Sequence, residues 1–158
     1  MLMSEYMEIG LFRKDEDQIA QDTDNQEKAR QQLADLLGMD VITMDNFSPW
    51  DWEFEKNNKI IAIGEYRRRF NDLDKYPDFQ FSKHKFDNMW GASVFQKTPA
   101  FMFVEFDDGF YYFRIEGTPT VQIMQRNGEM RTEAVVVIPK ETFKLTKKLK
   151  NEFKEILL

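Results

Sequence analysis

WDWEFEKNNKIIAIGEYRRRF, residues Trp50 to Phe70, is the stretch from which the fold is read. Trp52 and Phe54 alternate with charged residues, as in a strand with one face buried. Asn57-Asn58 supply turn chemistry. Ile60 to Ile63 form a compact apolar run, consistent with a central strand. That second strand ends in an abrupt cluster of charge: Glu65, Arg67, Arg68 and Arg69. Asp51 opens the first strand, so the turn brings this acid back beside the charged end of the second. A buried strand that ends in charges of both signs is a place where a site can be built.

The chain has 158 residues, which suits a single domain with a sizeable core, and its 15 Phe and 3 Trp are large apolar groups to bury. Charged residues make up 32% but are mixed in sign, which argues against disorder. The net charge of −6 argues against indiscriminate binding to nucleic acid, while leaving room for a local basic groove. The absence of Cys removes disulfides, thiolate catalysis and Cys-based zinc sites. The single histidine, His84, makes a His-rich metal site impossible, and no GxSxG-like elbow accompanies it for a Ser-His-Asp triad. No apolar run approaches the ~18 residues that span a membrane. The N-terminal stretch MLMSEYMEIGLFRKDEDQ has no signal-peptide apolar region. A soluble cytoplasmic protein is the expectation.

Outward from the hairpin, residues 1–23 read as a polar N-terminal arm. Asp24 has the character of an N-cap, with Glu27 at capping-box spacing. Ala29, Leu33, Leu36 and Leu37 share a helical face, and Gly38 stops the helix. Val41 to Met44 make a short strand. Beyond the hairpin, NDLDKYPD is loop, Phe79 to Phe81 are extended, and Ser82 caps a second helix with Phe86, Met89, Trp90 and Val94 on its apolar face. Ala100 to Phe106 form an apolar strand, which turns at Asp108-Gly109 into Phe110 to Ile115. Asn127-Gly128 join Val121–Gln125 to Met130–Ile138. A lysine-rich tail carries Leu145, Leu149, Phe153 and Ile156 at helical spacing. Tyr66 is assigned to the sheet face opposite Glu65, and the aromatic strands to the core.

This order of elements, with Asp51 followed across the hairpin by GEYRRR, resembles the PD-(D/E)XK nuclease superfamily, the restriction-endonuclease-like fold of many phage and repair nucleases and of Holliday-junction resolvases. The family pattern is an Asp at the start of one strand and Glu-x-Lys at the end of the next. Asp51 matches the Asp and Glu65 the Glu, Arg67 stands in place of the Lys, and Glu27 lies where many members carry a further acid on the first helix. The resemblance spans Asp24 to Phe106. It implies an α/β fold, a mixed sheet flanked by helices with an αβββαβ core (24–106). The arm (1–23) precedes that core, and β-hairpins with a C-terminal helix (107–158) follow it. It implies Mg²⁺ or Mn²⁺ as cofactor, DNA (duplex or branched) as partner, room for a homodimer, and a host-cell cytoplasm if the chain is phage-encoded.

Phosphodiester hydrolysis needs an attacking water and stabilisation of the charge that develops on the phosphate and leaving oxygens. Hard oxygen ligands suit Mg²⁺, so Asp51, Glu65 and the main-chain carbonyl of Tyr66 are the expected donors, with Glu27 as a further acid. Strand alternation sets Glu65 and Arg67 on one face, continuing the row of Ile61 and Ile63. A plain two-residue turn at Asn57-Asn58 sets Asp51 opposite Gly64, on the wrong face; a longer turn, or a bulge near Asp51, brings it onto the face of Glu65, within about 5 Å of that carboxylate. Arg67 can offset negative charge but cannot act as a base, because its pKa stays above ~12. Lys83 and Lys85, in the first turn of the second helix, are the expected helpers, and a helix N-terminus suits a phosphate. Arg69, and with it Arg68 and Lys83, are candidate contacts to nucleic acid.

Ordinary structural roles compete for the same residues. Asp51 also reads as a strand-edge acid, Glu65 with Arg67 as a charged strand end, Glu27 as a cap and the C-terminal lysines as the wet side of a helix. The two functional expectations are a metal-dependent nuclease and a catalytically inactive nucleic-acid-binding or protein-interaction module on the same fold.

Overall fold

The computed structural model describes residues 16–125 and 132–156. In chain order the elements are α1 (Glu16–Leu37), β1 (Asp40–Thr43), β2 (Trp52–Lys56), β3 (Lys59–Arg68), β4 (Asp78–Ser82), α2 (Lys83–Gln96), β5 (Ala100–Phe106), β6 (Gly109–Arg114), β7 (Thr120–Gln125), β8 (Thr132–Pro139), β9 (Lys144–Leu145) and α3 (Leu149–Ile156). Among the described residues, six strands form one sheet in the order β9-β6-β5-β3-β2-β1, and three form another, β4-β8-β7. The β3–β5 pairing is parallel, with α2 in the crossover between them. The remaining pairings are antiparallel. Elements α1-β1-β2-β3-α2-β5 are the expected αβββαβ core, so the mixed α/β architecture stands.

Asn57 and Asn58 have φ of 54° and 62°, the left-handed pair of a type I′ turn, whose twist matches that of the flanking strands. The hairpin then lies in the middle of the larger sheet, with apolar layers on both faces. Ala62 and Tyr66 join Leu33, Trp52, Phe54, Phe103 and Phe153 in a cluster beneath α1 and α3. Ile63 joins Phe81, Phe86, Met89, Met102, Phe113 and Val136 in a second cluster between this sheet, α2 and the smaller sheet. Period-2 alternation along β3 thus divides one strand between two cores. Gly64 sits where the rings of Phe54 and Phe103 close over the backbone; an added Cβ would lie 2.9 Å from Phe103 and 3.1 Å from Phe54.

Several boundaries differ from expectation. Helix α1 starts at Glu16, so Asp24 lies inside it, 3.0 Å from Lys28 in an i,i+4 ion pair. The stretch before Asp24 holds no Gly or Pro after Glu16, and Glu16 and Asp17 in the first turn complement the helix dipole. The part of the expected arm before residue 16, and the Asn127-Gly128 turn, lie outside the described residues. Gly38 ends the helix as expected, at φ +65° with its N–H on the Ala34 carbonyl at 2.9 Å. Ser82 caps α2 through the Lys85 N–H, but Ser93 is buried where Val94 was expected, and Val94 is exposed. The β5–β6 turn is Asp107-Asp108, one residue earlier than read. The tail helix is confined to α3, Leu145 being in β9. No helix among the described residues is long and apolar enough to cross a membrane.

Candidate active site

The β2–β3 ladder carries one extra residue. Next to the turn the partners are Lys56↔Lys59 and Glu55↔Ile60; beyond it they are Phe54↔Ala62, Glu53↔Ile63 and Trp52↔Gly64. Ile61 is therefore a bulge, at the turn end of the hairpin rather than beside Asp51. Extended by one residue, this register sets Asp51 across from Glu65; without the bulge the two-residue turn would set it across from Gly64. The bulge also removes Ile61 from the expected row. Ile61 packs against the α1 cluster, so the row on the α2 side is Ile63, Glu65, Arg67.

Asp51 lies just before β2. Its N–H donates to the Gly64 carbonyl at 3.1 Å, and its Oδ2 accepts the Tyr66 N–H at 2.9 Å. The carboxylate thus takes the backbone donor that β2, having ended, no longer pairs. On the α1 side, the Tyr66 ring packs against Trp52 and Phe110, and its hydroxyl donates to Glu105 Oε1 at 2.6 Å. Burial first, then that hydrogen bond to Glu105, pushes the phenol far above its ordinary range. Tyr66 faces away from Glu65, as expected.

Glu65 is only 2% exposed. Its Oε2 accepts from Arg67 Nη1 at 2.6 Å and stands 3.4 Å from Lys85 Nζ, which also donates to the Pro49 carbonyl at 2.9 Å. Burial, the largest influence, raises the Glu65 pKa above the ordinary carboxylate value; Arg67 opposes this, the charge of Asp51 adds to it, and Lys85 opposes it. Arg67 Nη1 makes a second bond, to the Tyr66 carbonyl at 2.9 Å. One nitrogen therefore bridges two of the three oxygens that the resemblance assigns to a cation.

Glu65, Arg67 and Lys85 meet in one cluster, Asp51 lies across the ladder from Glu65, Arg68 and Arg69 line the cleft of Asp51, and Glu27 and Lys83 are engaged elsewhere. Glu27 lies on the exposed side of α1, its two oxygens 2.7 and 2.6 Å from Arg30 Nε and Nη2. It is neither a capping-box residue nor near Glu65. Arg30 in turn ties α1 to β1 through the Val41 carbonyl at 2.8 Å. Lys83 pairs with Asp87 along α2. Arg68 is held by the Glu105 carbonyl at 3.1 Å and Asp107 at 2.7 Å. Arg69 lays its guanidinium 4.8 Å from the centre of the Phe79 ring. His84 is on the α2 surface beside Asn88.

A cleft of about 340 Å³ opens between α1 and the end of β3, and Asp51, Arg67 and Asp22 line it. Asp22 is the helix acid nearest this cleft that sequence reasoning missed. It lies four, seven and eleven residues before Gln26, Ala29 and Leu33, so the buried face of α1 runs on as a polar stripe. That signal was readable once the helix was started early enough. The donors Asp51, Glu65 and the Tyr66 carbonyl are hard oxygens and suit Mg²⁺ or Mn²⁺. Among the described residues no group of three or more His, Cys, Asp or Glu side chains could hold a metal. Two carboxylates, with the rest of the shell left to water, is a pattern Mg²⁺ accepts.

No curated protein matches the chain. Among solved structures, Hjc, a Holliday junction resolvase from the archaeal hyperthermophile Archaeoglobus fulgidus, has the same fold. The TM-score is 0.54 at 12% identity, over 78% of this chain and 92% of that one. Residues 12–146 match the family model described as "Phage putative PDDEXK endonuclease". That match takes in most of the chain, from before α1 into the segment leading to α3, and the chain belongs to this phage PDDEXK endonuclease family.

Proposed function

We propose that the protein is a Mg²⁺- or Mn²⁺-dependent nuclease that hydrolyses DNA phosphodiester bonds, with Asp51 and Glu65 holding the ion. The observation that supports this reading is the hairpin register, in which the Ile61 bulge sets Asp51 across the ladder from Glu65 rather than from Gly64. A divalent cation held there would polarise the phosphate and lower the pKa of a bound water.

The remaining work falls to the protein's own groups. The Tyr66 N–H fixes the direction of the Asp51 carboxylate. Burial keeps Glu65 dry, so its charge is little screened. Lys85 takes the place of the missing motif Lys. The Pro49 carbonyl holds its ammonium beside Glu65, and Lys, unlike Arg, can give up and accept a proton. Arg67 offsets negative charge as it develops on the phosphate. Arg69, the residue after β3, lines the cleft of Asp51 and Arg67 and is a candidate phosphate contact.

The same bond from Arg67 to Glu65 and the Tyr66 carbonyl favours a second reading, a catalytically inactive nucleic-acid-binding module. A plasmid-nicking assay with Mg²⁺ or Mn²⁺ decides between them, extended to single-stranded and four-way branched DNA because the Archaeoglobus protein is a junction resolvase. Metal-dependent cleavage that Glu65→Ala abolishes is the expected result. DNA binding without cleavage of any of these substrates, in either metal, would leave only the second reading.

A further inference from the structure

We propose that a second hollow, next to the cleft of Asp51, receives one unpaired nucleobase of the bound DNA. The inference rests on the nuclease reading and extends it to the form of the substrate. The hollow is about 330 Å³ in volume, the low end of the range for ligand pockets, so it admits one base and not a duplex. Phe79, Phe106 and Phe143 form its floor. These rings are locked edge-to-face, Phe143 standing 5.6 Å from both Phe79 and Phe106 at interplanar angles of 88° and 85°. With Arg69 lying over Phe79, the aromatic floor suits the flat face of a base.

The rim has the chemistry of base edges. Asn71 and Gln80 each offer an amide donor and acceptor, and Asp78 offers an acceptor. Amide side chains of this kind pair with base edges in nucleic-acid complexes. Lys140 at the mouth is held by Asp74 at 3.1 Å, an exposed pair whose ammonium can turn to the sugar-phosphate backbone. Tyr76 also lines the hollow while remaining 55% exposed, so its ring is available at the entrance for stacking.

Position links this hollow to the site. Arg69 lines both it and the cleft that contains Asp51, and it stacks on Phe79 in the floor. Arg69 follows Glu65 and Arg67 at two-residue steps along the same stretch of chain. A strand whose phosphate lies at Asp51 and Glu65 therefore has a neighbouring nucleotide within reach of the aromatic floor. In intact duplex that base is stacked and paired; at a flap or a single-stranded gap it is free to enter.

The test measures binding of the full-length protein, without divalent metal, to three DNAs of equal length: a duplex, a duplex with a single-stranded gap and a four-way junction. The wild type is expected to prefer the gapped DNA about tenfold over both the duplex and the fully paired junction, the order of one base–aromatic stack. Tyr76→Ala combined with Gln80→Ala, both outside the catalytic cluster, is expected to remove that preference while leaving duplex affinity within about twofold. A 5-iododeoxyuridine at the unpaired position of the wild-type complex is expected to crosslink to Tyr76 or Phe79. Equal binding of all three DNAs with no crosslink in this hollow overturns the base pocket and leaves the nuclease reading intact. Failure to bind or cut any DNA overturns both.

Discussion

Replacing Arg67 with Ala should tighten divalent metal binding even as it slows cleavage. The reason lies in one nitrogen. Arg67 Nη1 is 2.6 Å from Glu65 Oε2 and 2.9 Å from the Tyr66 carbonyl, so a cation that uses those oxygens must first displace the guanidinium. The cost of that displacement follows from burial. The Glu65 side chain is 3% exposed and that of Arg67 34%. A fully exposed pair contributes about 0.2–1 kcal/mol and a charge-assisted hydrogen bond about 1.5–3 kcal/mol, so a one-third-exposed pair lies near 1.5 kcal/mol. At about 1.4 kcal/mol per decade, its removal should strengthen Mn²⁺ binding about tenfold.

Titration calorimetry with Mn²⁺ on wild type, Arg67→Ala and Glu65→Ala is the assay. It is best run near pH 8, because without Arg67 the buried Glu65 keeps only Lys85 against desolvation and a proton competes more strongly with the metal. Glu65→Ala should lose binding, and Arg67→Lys should fall between wild type and Arg67→Ala. Nicking at saturating Mn²⁺ should drop in Arg67→Ala, since the cation facing the transition state is gone. An Arg67→Ala protein that is folded, retains nicking sensitivity to Glu65→Ala and binds Mn²⁺ no more tightly than wild type would refute the displacement argument.

The other predictions concern the same neighbourhood. Lys85→Met should reduce nicking at saturating metal about 100-fold, the scale of a lost general acid–base group, with Mn²⁺ affinity within about threefold of wild type. Apparent Mn²⁺ affinity should rise with pH from the ordinary carboxylate range up through the raised Glu65 value and then level off, because the metal takes the ionised form. The stability of the metal-free protein has the opposite sign. The contribution of protonated Glu65 is complete below the ordinary carboxylate pKa and is lost as pH rises through the raised one, so melts at stepped pH should show a decline that Glu65→Gln lacks. Gly64→Ala should destabilise by about 1–3 kcal/mol in urea unfolding, since its Cβ meets Phe103 at 2.9 Å in a closed aromatic layer.

Local signals in this chain were legible and long-range ones were not. The Asn57-Asn58 turn, the Gly38 stop, the Ser82 cap and the Ala100–Phe106 strand each depend on a few adjacent residues, and each was found where expected. The start of α1 was misplaced because Asp24 and Glu27 make a plausible cap at the very point where an uninterrupted helix passes through, and that error hid Asp22. Of the smaller sheet, the β7–β8 pairing was legible, but β4 pairs with β8 more than fifty positions later, and nothing local encodes that partner. The site lies between these extremes. Asp51 and Glu65 were readable as residues, but their meeting turns on whether one position in fifteen is counted out of the ladder. The sequence around Ile60 to Ile63 is apolar throughout, so it does not mark which residue bulges. Packing marks it instead. Pairing Trp52 with Gly64 and Phe54 with Ala62 sets the two large residues across from the smallest of β3 and lets the rings of Phe54 and Phe103 close over Gly64, whereas the unbulged register would set Trp52 and Phe54 against Ile63 and Ile61. The closure of Phe54 and Phe103 over Gly64 thus goes with the register that sets Asp51 across from Glu65, and the core and the candidate site depend on the same choice.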